Sequence, residues 1–215
     1  GYNRNIALKE SKNNIVGAID SDVVLDKYWL EILLKNLGSN QIVMCGGNMI
    51  EKIVDNRSNS WRAKYYSQNW GNKDLENPPF LYGCNTIQLK SAWMKVNGYD
   101  DTLKTNGEDV DYSKKIKSEK SYNLFYSADA ICHHLQDDDL NTLSKRVWRY
   151  HSFGYKIKEP SLYRFIKLSI KQLRFFIFRL INNILRLNFF FVYISFVVFI
   201  KFVKLEFCNF LKNKK

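Results

Sequence analysis

The chain is poor in paired cysteines, in acidic residues near its C-terminus, and in apolar runs long enough to cross a bilayer. Each shortage excludes something. The four cysteines (Cys45, Cys84, Cys132, Cys208) lie far apart and form no C-x-x-C pair. That excludes a disulfide framework and a cysteine zinc site, and fits reduced thiols in a cytosolic setting. No signal peptide opens the sequence, and no internal repeat is visible. The first residue is Gly1 rather than Met, so the true N-terminus is expected to be missing. The longest uncharged apolar stretch, Leu187–Ile200, has fourteen residues, whereas a spanning helix needs about 20. An interfacial or re-entrant segment is therefore expected there.

The scarcity of acids is local. Residues 161–215 hold 11 basic side chains and one acid, Glu206, while residues 1–160 hold 22 basic and 20 acidic ones. The net charge of +12 thus belongs mainly to a tail, which also carries twelve of the fifteen phenylalanines. Nucleic-acid tails are usually polar, so no nucleic-acid partner is expected; basic and strongly apolar together describe a membrane surface rich in anionic lipid.

What is present starts with Ile15-Val16-Gly17-Ala18-Ile19-Asp20-Ser21-Asp22. The apolar, β-branched run reads as a buried strand, and ligands gather past the carboxyl ends of strands in open α/β sheets. If the chain stays extended, Asp20 and Asp22 point the same way and converge on one target. Two hard oxygen ligands suit Mg²⁺ or Mn²⁺. A strand that ends in a turn or a helix cap uses the same residues.

Before this run, residues 1–11 read as a helix with Ile6 and Ala7 inward. After it, Leu25–Leu37 has helical spacing ended by Gly38, and Ile42–Cys45 is a short strand stopped by Gly46-Gly47. Residues 51–79 read as an irregular polar loop whose Trp61, Tyr65, Tyr66 and Trp70, with Trp93 beyond it, are candidates for an acceptor platform. A strand over 81–89, a helix over 91–96, a helix through 112–118, a strand over 122–133 and a basic helix over 143–155 follow. Strands alternating with helices give an α/β domain. Pro160 marks its end, so residues 1–158 form the domain and 159–215 the tail. Gly107-Glu108-Asp109 places two acids where a helix begins, as an N-cap and first turn would, or as a general base at the rim of a sheet would.

The order of segments resembles the family 2 glycosyltransferases of the GT-A fold. It is carried by R-N-I-A-L-K-E-S (4–11), I-V-G-A-I-D-S-D (15–22) and Y-G-C-N-T-I-Q-L-K-S-A-W-M-K-V-N-G-Y-D (82–100). N-G-E-D-V-D-Y-S-K-K-I (106–116), A-I-C-H-H-L (130–135) and K-R-V-W-R-Y-H-S-F-G (145–154) complete it. The resemblance implies a mixed, Rossmann-like sheet with flanking helices, lacking the first nucleotide-binding half-sheet. It also implies site roles. Asp22 would bind the metal directly, and Asp20 the ribose or a metal-bound water. Arg4 and Asn5 would lie beside the nucleotide. Asp109 would be the catalytic base and Glu108 its acceptor-orienting neighbour. His133 would complete the metal and diphosphate site, a place into which His134 could slide. Arg146, Trp148 and Arg149 resemble the segment that closes over the diphosphate, although Q-x-x-R-W is absent.

The implied activity is inverting transfer of a hexosyl unit from a UDP-, GDP- or dTDP-sugar to a hydroxyl, with Mn²⁺ or Mg²⁺ as cofactor. A glycan precursor or lipid-linked acceptor and the cytoplasmic face of a membrane are the implied partners. The alternatives are a processive polysaccharide synthase and a non-catalytic, membrane-anchored remnant of the fold. In the tail, apolar residues recur at helical spacing over 162–187, and Arg164, Lys167, Lys171 and Arg174 form one basic stripe. A helix of that kind lies in the interface of an anionic leaflet.

Overall fold

The computed structural model describes residues 1–103, 106–153 and 160–212. In chain order its elements are α1 (Tyr2–Glu10), β1 (Ile15–Ile19), β2 (Val23–Leu25), α2 (Trp29–Asn36), β3 (Ile42–Glu51), α3 (Arg57–Tyr65) and β4 (Leu75–Glu76). They continue with β5 (Asn85–Leu89), α4 (Lys90–Lys95), α5 (Glu108–Ser118), β6 (Asn123–His134), α6 (Leu140–Phe153), α7 (Leu162–Leu185) and α8 (Phe189–Lys212). The elements fall into two units, one of Gly1–Lys52 with Tyr66–Gln136 and one of Ile53–Tyr65 with Asp137–Lys215. The boundary expected between residues 158 and 159 lies inside the second of these.

The first unit is a mixed sheet in the order β1-β5-β3-β6-β2, with β4 against β6. β3 and β6 are parallel, and the other pairs are antiparallel. With its flanking helices this is the α/β, GT-A-type architecture that the sequence leads one to expect. Central β3 feeds both faces by alternation. Met44 joins Leu8, Leu81, Tyr112 and Leu124 on one side, while Cys45 and Met49 join Trp29, Leu33 and Cys132 on the other.

Several local expectations change. Gly46-Gly47 does not stop β3. A Cβ on Gly47 would lie 2.2 Å from the Ala130 carbonyl oxygen, and one on Gly46 2.8 Å from the Leu81 side chain. These glycines admit close neighbours rather than turn the chain. Helix α2 starts four residues later than its apolar spacing predicts, because Val23–Leu25 pair with Cys132–His134 of β6. Asp26 then begins the helix turn by accepting from the Tyr28 amide at 3.2 Å. In α1 the buried residue is Leu8, while Ile6 and Ala7 are exposed. Asn5 and Leu8, three apart, set the inward face.

The second unit consists of α3, α6, α7 and α8. Helix α3 replaces part of the loop expected over 51–79; its periodicity is hidden because it buries Asn59 and Arg62 beside Trp61. The caps are readable in sequence. Asn56 accepts from the Asn59 amide at 2.8 Å, Asp139 from Thr142 at 2.7 Å, Ser161 from Arg164 at 3.2 Å and Asn188 from Phe191 at 3.1 Å. Each side-chain oxygen satisfies an orphan N–H of the first turn. The expected end of the basic helix at Tyr155, and Gly154 of the 145–154 segment, lie outside the described residues.

The interior of this unit is unusually polar. The Arg164 guanidinium pairs with Glu206 at 2.9 Å, and both side chains are buried. Glu206 also accepts from Trp148 Nε1 at 2.9 Å and Ser152 Oγ at 2.7 Å. Asp138 pairs with Arg62 and, at 2.9 Å, with Arg146. Asn183 Oδ1 accepts from Tyr65 at 2.6 Å and Lys64 at 3.1 Å. Arg164 is therefore withdrawn from the basic stripe in which its spacing places it. The Leu187–Ile200 stretch is no isolated segment but the start of the 24-residue α8. No helix among the described residues is long and apolar enough to cross a membrane.

His151 packs between Phe175 and Phe202, at 5.5 Å and 6.1 Å between ring centroids. Burial, then Lys171 and Arg179, push its pKa down to about 3. Its neutral form thus stabilises the fold above the ordinary value of 6.5, and that contribution is lost as pH falls toward 3. His151→Phe should hold its denaturation midpoint better than the wild type over this range, read by circular dichroism at 222 nm in a pH series.

Candidate active site

Four candidate residues of the first unit, Arg4, Asp20, Glu108 and Asp109, gather around one backbone position, Gly83. Strand β1 delivers Asp20 at its carboxyl end, where the Asp20 amide donates to the Cys84 carbonyl at 3.4 Å. Arg4, on α1, reaches the same place. Its guanidinium donates from Nη1 to the Gly83 carbonyl at 2.5 Å, lies 3.3 Å from Asp20 Oδ1 and 3.8 Å from Glu108 Oε1. From the other side, the Gly83 amide donates to Asp109 Oδ2 at 3.3 Å. One guanidinium and one peptide unit therefore hold Asp20, Glu108 and Asp109 together, although 88 residues separate Asp20 from Glu108 in the chain.

The packing there is tight. A Cβ on Gly83 would stand 3.2 Å from both Arg4 Nη2 and Asp109 Cβ. Glycine is what lets the helix that carries Asp109 approach the arginine. Burial, with Glu108 beside it, raises the Asp109 pKa above the ordinary carboxylate value, against the lowering pull of two amide donors and Arg4. Cys84 feels both Asp20 and Asp109, which, after burial, push its thiol pKa further up. A buried carboxylate that holds its proton above the usual range has the tuning of a general base.

Asn5, expected beside a nucleotide, has another occupation. Its Nδ2 donates to the Tyr99 carbonyl at 2.9 Å and to Asp101 at 2.6 Å. Its Oδ1 accepts from the Tyr99 amide and from Trp93 Nε1, each at 2.9 Å. This side chain locks the 97–101 loop to α1. Trp93 is thereby a structural partner; Trp61 is fully buried, and Trp70 packs on Phe80 and Tyr82. None of the three stands as an open platform.

Asp22 lies elsewhere than the extended reading places it. Asp20-Ser21-Asp22 is a turn closed by the Val23 amide on the Asp20 carbonyl at 3.2 Å, so the two carboxylates take different partners. Asp22 Oδ2 is 3.4 Å from His134 Nε2, and His134 Nδ1 is 3.0 Å from Glu51 Oε1, whose side chain is 4 % exposed. His133 alternates to the other face of β6. The imidazole beside Asp22 is thus that of His134, and His133, assigned the ligand role by resemblance, turns away from it. Among the described residues, Asp20, Asp22 and His133 do not assemble into a three-ligand metal group. Glu51 escapes sequence reading because it closes a strand that Gly46-Gly47 conceals; its parallel register with His134 is the signal.

Arg146 and Trp148, in the second unit, are engaged by Asp138 and Glu206 as described above. A cleft of about 630 Å³ beside β1 is lined by Ile15, Gly17, Ile19, Trp29 and Leu34 and by none of the candidate residues. It belongs to the apolar face of the sheet.

Residues 1–96 match the model of a protein family described as Glycosyl transferase family 2. No curated protein matches the chain.

Two outcomes follow from this geometry. Because the folded state raises the Asp109 pKa, its contribution to stability is present below the ordinary carboxylate value and lost as pH rises through the raised one. Asp109→Asn should therefore raise the melting temperature relative to wild type at pH 7–8, and the difference should shrink below about pH 4, read by scanning fluorimetry. Gly83→Ala should destabilise by roughly 1–3 kcal/mol through overpacking, measured by urea denaturation.

Proposed function

With residues 1–96 a family 2 glycosyltransferase domain, we propose that the chain is an inverting, divalent-metal-dependent transferase. It moves a hexosyl unit from a UDP-, GDP- or dTDP-sugar to a hydroxyl acceptor. The observation that carries the reading is the meeting of Arg4, Asp20, Glu108 and Asp109 at Gly83. Asp109 takes the proton of the acceptor hydroxyl while its oxygen attacks the anomeric carbon from the face opposite the diphosphate. The bond from that carbon to the diphosphate breaks, and its electron pair leaves with the diphosphate. Glu108 orients the acceptor, and its charge helps keep the base strong. Arg4 holds Asp20 aligned for the nucleotide ribose.

The donor set fits a cation shared with the substrate rather than one caged by protein. Asp22 and His134 lie 3.4 Å apart, and Mg²⁺ or Mn²⁺ is commonly held by one or two protein groups plus substrate phosphates. In the tautomer whose Nδ1–H donates to Glu51, His134 Nε2 would turn its lone pair toward Asp22 and any ion held there. When bound, such an ion supplies Lewis-acid stabilisation of the charge that builds on the leaving diphosphate. The acceptor proposed is a glycan precursor or lipid-linked sugar at the cytoplasmic face of a membrane, where the basic helices of the second unit hold the chain.

The test is hydrolysis and transfer by the whole chain with UDP-, GDP- and dTDP-sugars, with and without Mn²⁺ or Mg²⁺. Metal-dependent turnover is expected. Asp109→Asn should lower kcat by about 10²–10⁴ and remove the rise of rate with pH that deprotonation of Asp109 produces. Asp22→Ala should be at least as damaging. Near-normal turnover by either variant overturns the corresponding role.

A further inference from the structure

Helix α7 is built inside out, and α8 beside it carries an exposed apolar stripe as well. Soluble helices bury their apolar stripe and expose the polar one. In α7 the stripe Ile166, Ile170, Leu173, Ile177, Ile181 and Ile184, spaced four, three, four, four and three, is 41–55 % exposed. The buried residues of the same helix are Arg164, Leu168, Gln172, Arg179 and Asn183, four of the five polar. Helix α8 buries a mostly apolar face, Ile194, Val198, Phe202 and Phe210 with Ser195 and Glu206, yet it too exposes an apolar stripe: Phe189, Tyr193, Phe196, Ile200, Phe207 and Leu211 recur on one face and are 44–65 % exposed. Part of the buried polar set is paired, Arg164 with Glu206 and Asn183 Oδ1 with Tyr65 and Lys64, while Gln172 Nε2 and Asn183 Nδ2 are buried without a hydrogen-bond partner among the described residues. The exposed apolar stripes form continuous faces far longer than the scattered exposed leucines of ordinary surfaces.

Beside the isoleucine stripe of α7 run Lys167, Lys171 and Arg174, spaced four and three. Lys167 and Arg174 are exposed, and Lys171 is half-buried with its pKa lowered by that burial. A cationic row parallel to an apolar row matches a layer that is anionic at the surface and hydrocarbon below. It does not match a second copy of the chain, which would bring one basic row against another. Each helix has 24 residues, yet neither is long and apolar enough to cross a bilayer.

We propose that the outer faces of α7 and α8 seat in the interfacial layer of an anionic membrane. The helices lie in the plane of the leaflet. Their Ile and Phe stripes sit among the upper acyl chains, and Lys167, Lys171 and Arg174 sit at the phosphates. The buried polar interior is what remains when hydrocarbon takes over the role of an outer shell. This deepens the membrane partner of the proposed function and rests on it. Binding is read without turnover, so its failure and failure of the transfer chemistry are separate outcomes.

The experiment is co-sedimentation of the whole chain with sucrose-loaded vesicles, either pure phosphatidylcholine or phosphatidylcholine with about a third phosphatidylglycerol. The wild type should pellet with the anionic vesicles and partition at least about tenfold less onto the neutral ones, given the weight of each cation at an anionic surface. Ile170→Asp with Ile177→Asp should stay in the supernatant with an unchanged helical spectrum, since both positions are already open to solvent. Lys167→Glu with Arg174→Glu should lose the anionic preference while retaining weak binding to both vesicles. Wild type that remains soluble, or binds both vesicles equally, overturns the proposal. So does a lipid-free dimer in light scattering that the aspartate pair abolishes, because the faces then belong to a second copy.

Discussion

The first unit depends on the fork of Arg4. Three carboxylates and a peptide carbonyl converge on the neighbourhood of Gly83 and Arg4, and like charges so placed repel one another. A guanidinium offers donors in several directions from one rigid plane. Here one edge meets the Gly83 carbonyl, another meets Asp20, and the third faces Glu108. A lysine in this position would present one compact charge and could not fix three directions at once. Because Gly83 also donates to Asp109, the orientation of that carboxylate is tied to the arginine through a single peptide unit.

That arrangement sets the protonation of Asp109. Asp109 is deprived of water by burial and crowded by Glu108, so its ionised form is costly to the fold and correspondingly eager for a proton. The strain is tolerated because Asn5 clamps α1 to the 97–101 loop with four hydrogen bonds. Neighbouring residues of one helix thus divide the labour. Arg4 faces the acids, and Asn5 keeps the helix from moving away from them.

What the sequence makes legible is what depends on local pattern. The strand ending at Asp20, the acids opening α5 and the α7 periodicity stand where spacing predicts, but β1, read from its apolar run as a buried strand, lies at the end of the strand order with no buried residue. What it hides depends on distant partners. Val23–Leu25 are a strand only because β6 lies alongside, and Gly46-Gly47 continue β3 because Leu81 and Ala130 press against them. Helix α3 is obscured because it buries Asn59 and Arg62. The turn at 20–22 gives Asp20 and Asp22 different partners, and strand alternation puts His134, not His133, next to Asp22. Arg164 counts in sequence as one more surface cation; only Glu206, 42 residues on, makes it an interior one.

Among the described residues, strand β1 pairs with β5 alone and stands at the end of the strand order. Ile15, Gly17 and Ile19 face outward along it, and no lysine, proline or bulge interrupts its five residues. Most edge strands carry such a guard. An unguarded ladder of amides and carbonyls is a template, and it accepts any extended segment of matching length with little regard for that segment's sequence. Whatever strand first lies along Ile15–Ile19 decides whether the sheet is completed or begins to grow.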